Sequence, residues 1–298
     1  MSEALPSLML VLTTVAGSGA SRVSELQGPP GAGDPPGGAD ASEPPEPRLD
    51  WDQLRALVRL QQPGLRAPLP GVPGQCAVCH GPTGSRTRRC YPCELHRECA
   101  QGSLADVVVP VALAGKGGPH ASHLWQYKSE RLARAGGADR AGRLLIALLL
   151  VFLRDHGGCV WQAAGMPGPT HVAVVPSGRG RPGAHPLRAL AAPYLALPWA
   201  ELTARPGREP DSELDAGRFT AAPVPSSRVL LLDDTWTTGA SAQSAAMALR
   251  QAGASSVATV VLGRHVGLRP SGAGPAPDHL PPFMPASCAV HEAAGASG

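Results

Sequence analysis

From residue 104 onward, short apolar runs alternate with segments that have helical periodicity. The apolar runs predict buried strands at residues 107–109, 172–175, 228–232 and 257–262. The segments between them predict helices at residues 139–154, 187–197 (interrupted at Pro193) and 241–252. Because buried strands that alternate with helices need cover on both faces, the pattern predicts an α/β fold with a parallel sheet flanked by helices.

Tracts rich in glycine and proline divide the chain. The 36 glycines and 33 prolines are concentrated at residues 28–47 and 270–285. Such tracts cannot offset their ordering entropy by burial. The sequence therefore predicts four parts, which are a disordered tail (1–48), a short helix with a cysteine-rich module (49–100), the α/β domain (104–270) and a flexible C-terminal tail (271–298).

Charge and hydropathy favour a soluble, cytoplasmic protein. The net charge of +3 is too weak to indicate nucleic-acid binding without a local patch. Residues 5–15 are apolar, but Glu3 stands where a signal peptide carries a basic residue. The densest later apolar run, residues 144–153, is about half the length that spans a bilayer. We therefore expect no membrane insertion.

Five of the seven cysteines lie close together, which is typical of a metal site. Cys76 and Cys79 form one Cys-x-x-Cys knuckle, and Cys90 and Cys93 form another ten residues later. Two knuckles supply four thiolates, which suits a closed, tetrahedral and structural zinc site. The fourth ligand stays open at this stage, since further candidates lie close by: His80, His96 and Cys99.

The remaining cysteines carry weaker signals. Cys288 and His291 have ligand spacing and could form a second site with Cys99 or His96, or they belong to a disordered end. Cys159 reads as a lone buried thiol.

Residues 229–241 combine a strand, two acids and a small-residue loop. The apolar strand should deliver Asp233 and Asp234 at its carboxyl end, where open α/β sheets bind ligands. The loop that follows and the start of a helix near Ser241 would offer backbone N–H groups and a positive dipole to a phosphate. The two carboxylates suit ribose hydroxyls or a Mg²⁺ ion. The alternative is an ordinary capped turn or a Walker-B-like strand end, although no P-loop sequence accompanies it.

Other basic segments could complete such a site. Ser177, Arg179 and Arg181 follow the strand at 172–175, and the arginines would offer charge-assisted bonds to phosphate oxygens unless the segment is a solvated turn. A mobile hood at residues 201–220 carries further arginines: Arg205, Arg208 and Arg218.

Residues 229–241 resemble the signature of type I phosphoribosyltransferases, with four apolar residues, two acids and a Thr/Gly-rich loop. The resemblance implies that phosphoribosyl pyrophosphate (PRPP) is bound with Mg²⁺. Asp233 and Asp234 would contact the ribose hydroxyls. The 5-phosphate would lie against the loop residues, which are Thr235, Thr237, Thr238, Gly239 and Ser241.

Together with the cysteine knuckles and the pair Tyr127-Lys128, the loop is similar to the ComF-like competence family over residues 76–265. The resemblance implies a phosphate contact for Lys128 and a phosphoribosyltransferase fold with an N-terminal zinc module. Residues 181–187 depart from the family's Arg-rich Gly-Phe-Asn-Gln stretch. As a function, the resemblance implies a Mg²⁺-dependent enzyme that transfers the phosphoribosyl group of PRPP to an unknown nucleophile and releases pyrophosphate. Two other functions stay open. One is a PRPP or nucleotide sensor without chemistry, and the other is a DNA-uptake accessory protein whose basic module binds single-stranded DNA through Arg86, Arg88, Arg89, Arg97 and Tyr91.

Overall fold

The computed structural model describes eight stretches of the chain: residues 50–71, 73–83, 87–100, 102–129, 137–177, 185–207, 213–267 and 280–291. Within these stretches, a four-stranded sheet forms the centre of the fold, and all of its strands are parallel. Its strands are β1 (Val107–Gly115), β2 (His171–Val174), β5 (Arg228–Trp236) and β6 (Ser256–Val266), in the order β1-β6-β5-β2. A separate antiparallel hairpin joins β3 (Leu202–Ala204) and β4 (Phe219–Ala221).

Helices cover both faces of the sheet. They are α1 (Trp51–Gln61), followed by a 3₁₀ turn (Gln62–Gly64), α2 (Tyr91–Cys99), α3 (Pro119–Gln126), α4 (Gly137–Ala163), α5 (Pro186–Ala191) and α6 (Ala240–Gln251). Alternate residues of β5 enter different clusters, because side chains of a strand point to opposite faces. Leu230 and Leu232 pack with α4, whereas Val229 and Leu231 pack with α6 and the cysteine module. The predicted α/β class with a parallel sheet is confirmed.

The strands and helices differ from their predicted bounds for local reasons. β1 runs on through Pro110 because it is an edge strand, where the missing N–H of proline need not cost a ladder bond. α4 continues beyond Arg154 because Val160 and Trp161 stay buried in the same core. α5 ends at Ala191, ahead of Pro193.

Residues 280–291, which were expected to belong to a flexible tail, pack against the folded chain. Phe283 and Cys288 are buried in the cluster that contains α4. The Gln62 side chain donates a hydrogen bond to the Phe283 carbonyl (3.2 Å), and the Ala67 N–H donates to the Pro281 carbonyl (2.9 Å). Apolar burial and backbone pairing together hold this segment, and composition alone does not reveal either.

The helix α4 contains one segment, Asp139–Ala163, that is long and apolar enough to cross a membrane. Its most apolar window has a mean hydropathy of 1.7, but 78% of that window is buried inside the fold. A helix that is apolar all round and packed within protein is a core helix. The described chain is therefore mostly soluble in character, and a cytoplasmic location stays a prediction.

Replacement of Leu149 by alanine tests α4 as a core helix. The side chain is fully buried, so Leu149→Ala should lower the free energy of unfolding by roughly 2–5 kcal/mol. Leu60→Ala is the control, because Leu60 is 65% exposed and should change stability by about 0.5 kcal/mol or less. Urea unfolding of detergent-free protein measures both. Equal effects of the two substitutions would contradict the packing.

Candidate functional site

The two adjacent acids lie at the carboxyl end of β5, within the strand and not after it. β5 continues past the predicted end at Leu232 and pairs with β6 as far as Trp236 opposite Arg264. Asp233 is partly exposed, whereas only 4% of the Asp234 side chain is accessible. The acids are therefore held by sheet hydrogen bonds in a rigid position, and the connecting loop is shorter than the sequence suggested.

Asp234 is surrounded by groups that neutralise or bind its charge. Lys128 Nζ donates to Asp234 Oδ1 at 2.7 Å, and the Tyr127 hydroxyl donates to Oδ2. His185 Nε2 lies 3.7 Å from Oδ2. Because His185 Nδ1 accepts a hydrogen bond from the Leu187 N–H (3.2 Å), the proton of the neutral ring is on Nε2, on the side of the carboxylate.

These surroundings move the pKa values of the two carboxyls in opposite directions. Burial and the charge of Asp234 raise the pKa of Asp233 to about 7, against a smaller opposing effect of Lys128. Burial would also raise the pKa of Asp234, but Lys128 and the Tyr127 hydroxyl hold it below its ordinary value. Acids with divergent pKa values at the carboxyl edge of a sheet are typical of functional sites.

The loop after β5 makes a tight glycine turn into α6. Gly239 has φ of 87°, which favours glycine, and a Cβ atom there would lie 2.0 Å from the Trp236 ring. Thr238 Oγ1 accepts a hydrogen bond from the Ala240 N–H (3.3 Å), and α6 begins at Ala240. Trp236 is buried beneath the loop. The loop, the helix start and the acids therefore meet at one edge of the sheet.

The structure describes two of the three arginines of the predicted hood. Arg218 is buried, and its guanidinium donates to Ser241 Oγ (3.3 Å) and to the Glu213 carbonyl (2.9 Å). Arg205 donates to Thr220 Oγ1 (2.8 Å) along the β3–β4 hairpin. Both arginines brace this hairpin and the start of α6 in the present conformation. Arg208 lies outside the described residues.

Of the other predicted phosphate ligands, the structure describes Ser177 and Lys128. Ser177 follows the carboxyl end of β2, the strand that pairs with β5, so it lies at the same edge of the sheet as the acids. Arg179 and Arg181 lie outside the described residues. Lys128 is placed against Asp234, so a phosphate contact would have to be made from this position. These ligand assignments stay predictions.

The four knuckle cysteines come together as one buried cluster. The sulfur atoms of Cys76, Cys79, Cys90 and Cys93 all lie within 4.8 Å of one another. Hydrogen bonds from the other three thiols lower the pKa of Cys76. Four clustered thiols could bind a structural metal such as zinc and would leave no open position on it. The alternatives for the fourth ligand lie outside the group: His80, His96 and Cys99.

Arg264 connects this cluster with the loop. Its Nε donates to Cys79 Sγ at 3.3 Å, and one Nη donates to the Trp236 carbonyl at 3.2 Å. The guanidinium lies so close to Gly81 that a Cβ atom there would be 2.3 Å away. The cysteine module is therefore in contact with the backbone that begins the loop.

Several of these site residues were not identified from the sequence as site residues. His185 and the contacts of Arg264 with Cys79 and Trp236 carry no motif, because each joins groups that are distant along the chain. Tyr127 entered only through a family resemblance. From the sequence, His265 could be a general base or a surface histidine. It is partly buried, and burial together with Arg264 lowers its pKa. Strand register is the signal that could have located His265, since His265 follows Arg264, the residue that pairs with Trp236.

A basic cavity borders the cysteine module. It measures about 750 Å³ and is lined partly by Arg88, Arg89 and Arg97, and neither Asp233 nor Asp234 lines it. Arg89 and Arg97 both pair with Glu94, which reduces the charge available to an anionic polymer. The two acids therefore lie outside this cavity, and the charge of the cavity is partly compensated. Comparison of the chain with known protein families and with curated proteins found no match.

Loss of the Lys128 charge tests the compensation of Asp234. Lys128→Met would leave a buried carboxylate without its cation, and the unfolding free energy should fall by about 2–3 kcal/mol because the pair is only partly exposed. Lys116→Met is the matched control, since Lys116 is the other lysine of the chain and is exposed. Chemical denaturation at neutral pH measures both. A similar stability of the two variants would show that the ion pair is not needed.

The raised pKa of Asp233 predicts a pH-dependent effect of Asp233→Asn. The native carboxyl keeps its proton up to about pH 7, whereas the unfolded one loses it near pH 4. Stability therefore falls as the pH rises through this window, and the neutral amide avoids the loss. We expect Asp233→Asn to be more stable than wild type by about 1–2 kcal/mol at pH 8, less than the full linkage value because the group is partly exposed.

Thermal unfolding at pH 5 and pH 8 gives the comparison. The exposed Asp139 provides the control, because Asp139→Asn should shift the melting temperature equally at both pH values. An Asp233→Asn variant that is less stable than wild type at pH 8 would show that the ionised carboxylate stabilises the fold.

Proposed function

We propose that this chain binds phosphoribosyl pyrophosphate and transfers its phosphoribosyl group to a nucleophile, with release of pyrophosphate. The observation that carries the proposal is the arrangement at the end of β5. Two carboxylates precede a glycine turn, and the turn leads directly into the amino end of α6. A ribose 5-phosphate needs hydroxyl acceptors next to an anion site, and this arrangement offers both at one edge of the sheet.

The two acids take different parts in ribose recognition. Asp233 is the more accessible carboxylate, so it accepts hydrogen bonds from the ribose hydroxyls directly. Asp234 is already bound by Lys128 and Tyr127, which fix its orientation and leave it a smaller share of the contact. The contacts of Asp234 with Lys128 and Tyr127 also explain why only Asp233 has a raised pKa.

The 5-phosphate is assigned to the turn between β5 and α6. The N–H groups in the first turn of α6 and the dipole of this helix favour an anion there, with the Ala240 N–H already held by Thr238 Oγ1, and Gly239 permits the close approach of the backbone. Hydroxyls of Thr237 and Thr238 lie on the same turn. Ser241 contributes its hydroxyl from the first turn of α6 while it holds Arg218.

The reaction would be a displacement at C1 of the ribose. The bond from C1 to the pyrophosphate oxygen breaks, and a bond from C1 to the nucleophile forms on the opposite face. Mg²⁺ bound with the pyrophosphate would neutralise charge on the leaving group, and the oxygen ligands of Asp233 suit that ion. The protein fixes the ribose and the 5-phosphate, which lowers the entropy cost of reaching the transition state.

Calorimetric titration with PRPP in the presence and absence of Mg²⁺ tests the binding site. Asp233→Asn should weaken PRPP binding about 10- to 100-fold, because it removes a charged acceptor worth about 1.5–3 kcal/mol. The exposed Asp139→Asn should bind as wild type does. Absence of PRPP and ribose-5-phosphate binding by the folded wild-type protein would overturn the proposal.

A pyrophosphate-release assay with a panel of nucleobases and amines then separates catalysis from sensing. Transfer predicts release that depends on the acceptor and is lost in Asp233→Asn. Tight PRPP binding without release for any acceptor would contradict transfer and leave a binding protein.

A further inference from the structure

Three metal-binding side chains meet where the C-terminal segment packs on α4, apart from the site described above. His156 and Cys159 lie one helical turn apart on α4, and Cys288 belongs to the segment 280–291. Their ligand atoms all lie within 4.8 Å of one another. His156 and Cys288 are buried, and Cys159 is partly buried. The sequence had instead suggested Cys99 or His96 as partners of Cys288, and neither belongs to this group.

The hydrogen bonding of His156 leaves one ring nitrogen available for a metal. His156 Nε2 lies 2.7 Å from the Pro285 carbonyl oxygen, so Nε2 must donate its proton there. In the neutral ring Nδ1 then carries the lone pair. A backbone carbonyl that fixes the tautomer in this way is the usual support for a metal-binding histidine.

The backbone around Cys288 suits a ligand pair. Cys288 and His291 are joined by reciprocal backbone hydrogen bonds of 3.1 and 3.3 Å. These bonds close a tight turn that begins at Cys288 and ends at His291. The sequence Cys288-Ala-Val-His291 repeats the spacing and the central residues of the knuckle Cys76-Ala-Val-Cys79. His291 is exposed, and its backbone is paired with that of Cys288, a member of the cluster.

We propose that His156, Cys159 and Cys288 bind a zinc ion, with His291 as the fourth ligand. Two imidazoles and two thiolates form a common tetrahedral zinc set, with both pairs spaced by two residues. Binding releases the two thiol protons to solvent and leaves a neutral site. The ion would fasten the C-terminal segment to α4. The carbonyls of Pro281 and Phe283 in the same segment already accept hydrogen bonds from residues that follow α1. The inference is independent of the proposed PRPP site.

Metal content of the purified full-length protein tests the inference. Protein produced with zinc and kept in reductant should carry a second zinc ion per chain beyond that of the Cys76 cluster, as measured by elemental mass spectrometry. Cys288→Ser and Cys159→Ser should each lose one ion. Cys99→Ser is the matched control and should lose none, since Cys99 is exposed and outside both clusters.

Folding of the variants is checked by circular dichroism. A folded wild-type chain with a single zinc ion that Cys90→Ser removes and Cys288→Ser does not would overturn the inference. So would a Cys159–Cys288 disulfide found by peptide mapping of protein purified without reductant and supplied with zinc.

Cobalt substitution examines the ligands directly. The Cys76 cluster would contribute four thiolates and this site two. The thiolate-to-metal charge-transfer absorption of the cobalt-loaded wild type should therefore decrease by about a third in Cys288→Ser. His291→Ala should weaken cobalt binding at this site at least 10-fold. Unchanged affinity in His291→Ala would overturn the assignment of the fourth ligand.

Discussion

The charge of Asp234 is buried at the carboxyl edge of the sheet, on the inner strand β5. The groups that compensate this charge come from several parts of the chain. A carboxylate in this position is costly unless a cation and hydrogen-bond donors face it. Lys128 and Tyr127 meet that need from the residues that follow α3, and His185 meets it from the residue that caps α5. One buried charge therefore links three parts of the chain that are far apart in sequence.

Asp233 takes the opposite environment because of the same charge. With Lys128 engaged by Asp234, the neighbouring carboxyl has no comparable partner among the groups that shift its pKa, and its ionised form is disfavoured. A carboxylate whose ionised form is disfavoured in the free protein gains the most interaction free energy when a ligand supplies hydrogen-bond donors or a cation. The rigidity of β5 maintains this environment, since both acids lie within paired strand.

The sequence predicts the parallel sheet, the approximate helices and the knuckle cluster because each rests on local pattern or fixed spacing. Apolar alternation does not reveal that β5 continues beyond Leu232, since the pairing of Trp236 with Arg264 is a long-range event. For the same reason the contacts of Arg264 and the position of His185 were not predicted, and Cys159 was interpreted as a lone thiol. Proximity across about 130 residues has no signature in one sequence.

Both cysteine clusters lie where chain outside the sheet meets the sheet and its helices. The module at residues 73–100 has few apolar side chains, and its own cysteines are among its buried residues. The segment 280–291 is too short to fold alone and buries little more than Phe283, Cys288 and Ala289 in the α4 cluster. Where apolar area is scarce, metal–thiolate bonds supply folding energy that a small core cannot. Arg264 then joins the first cluster to the Trp236 carbonyl, where β5 ends and the loop begins.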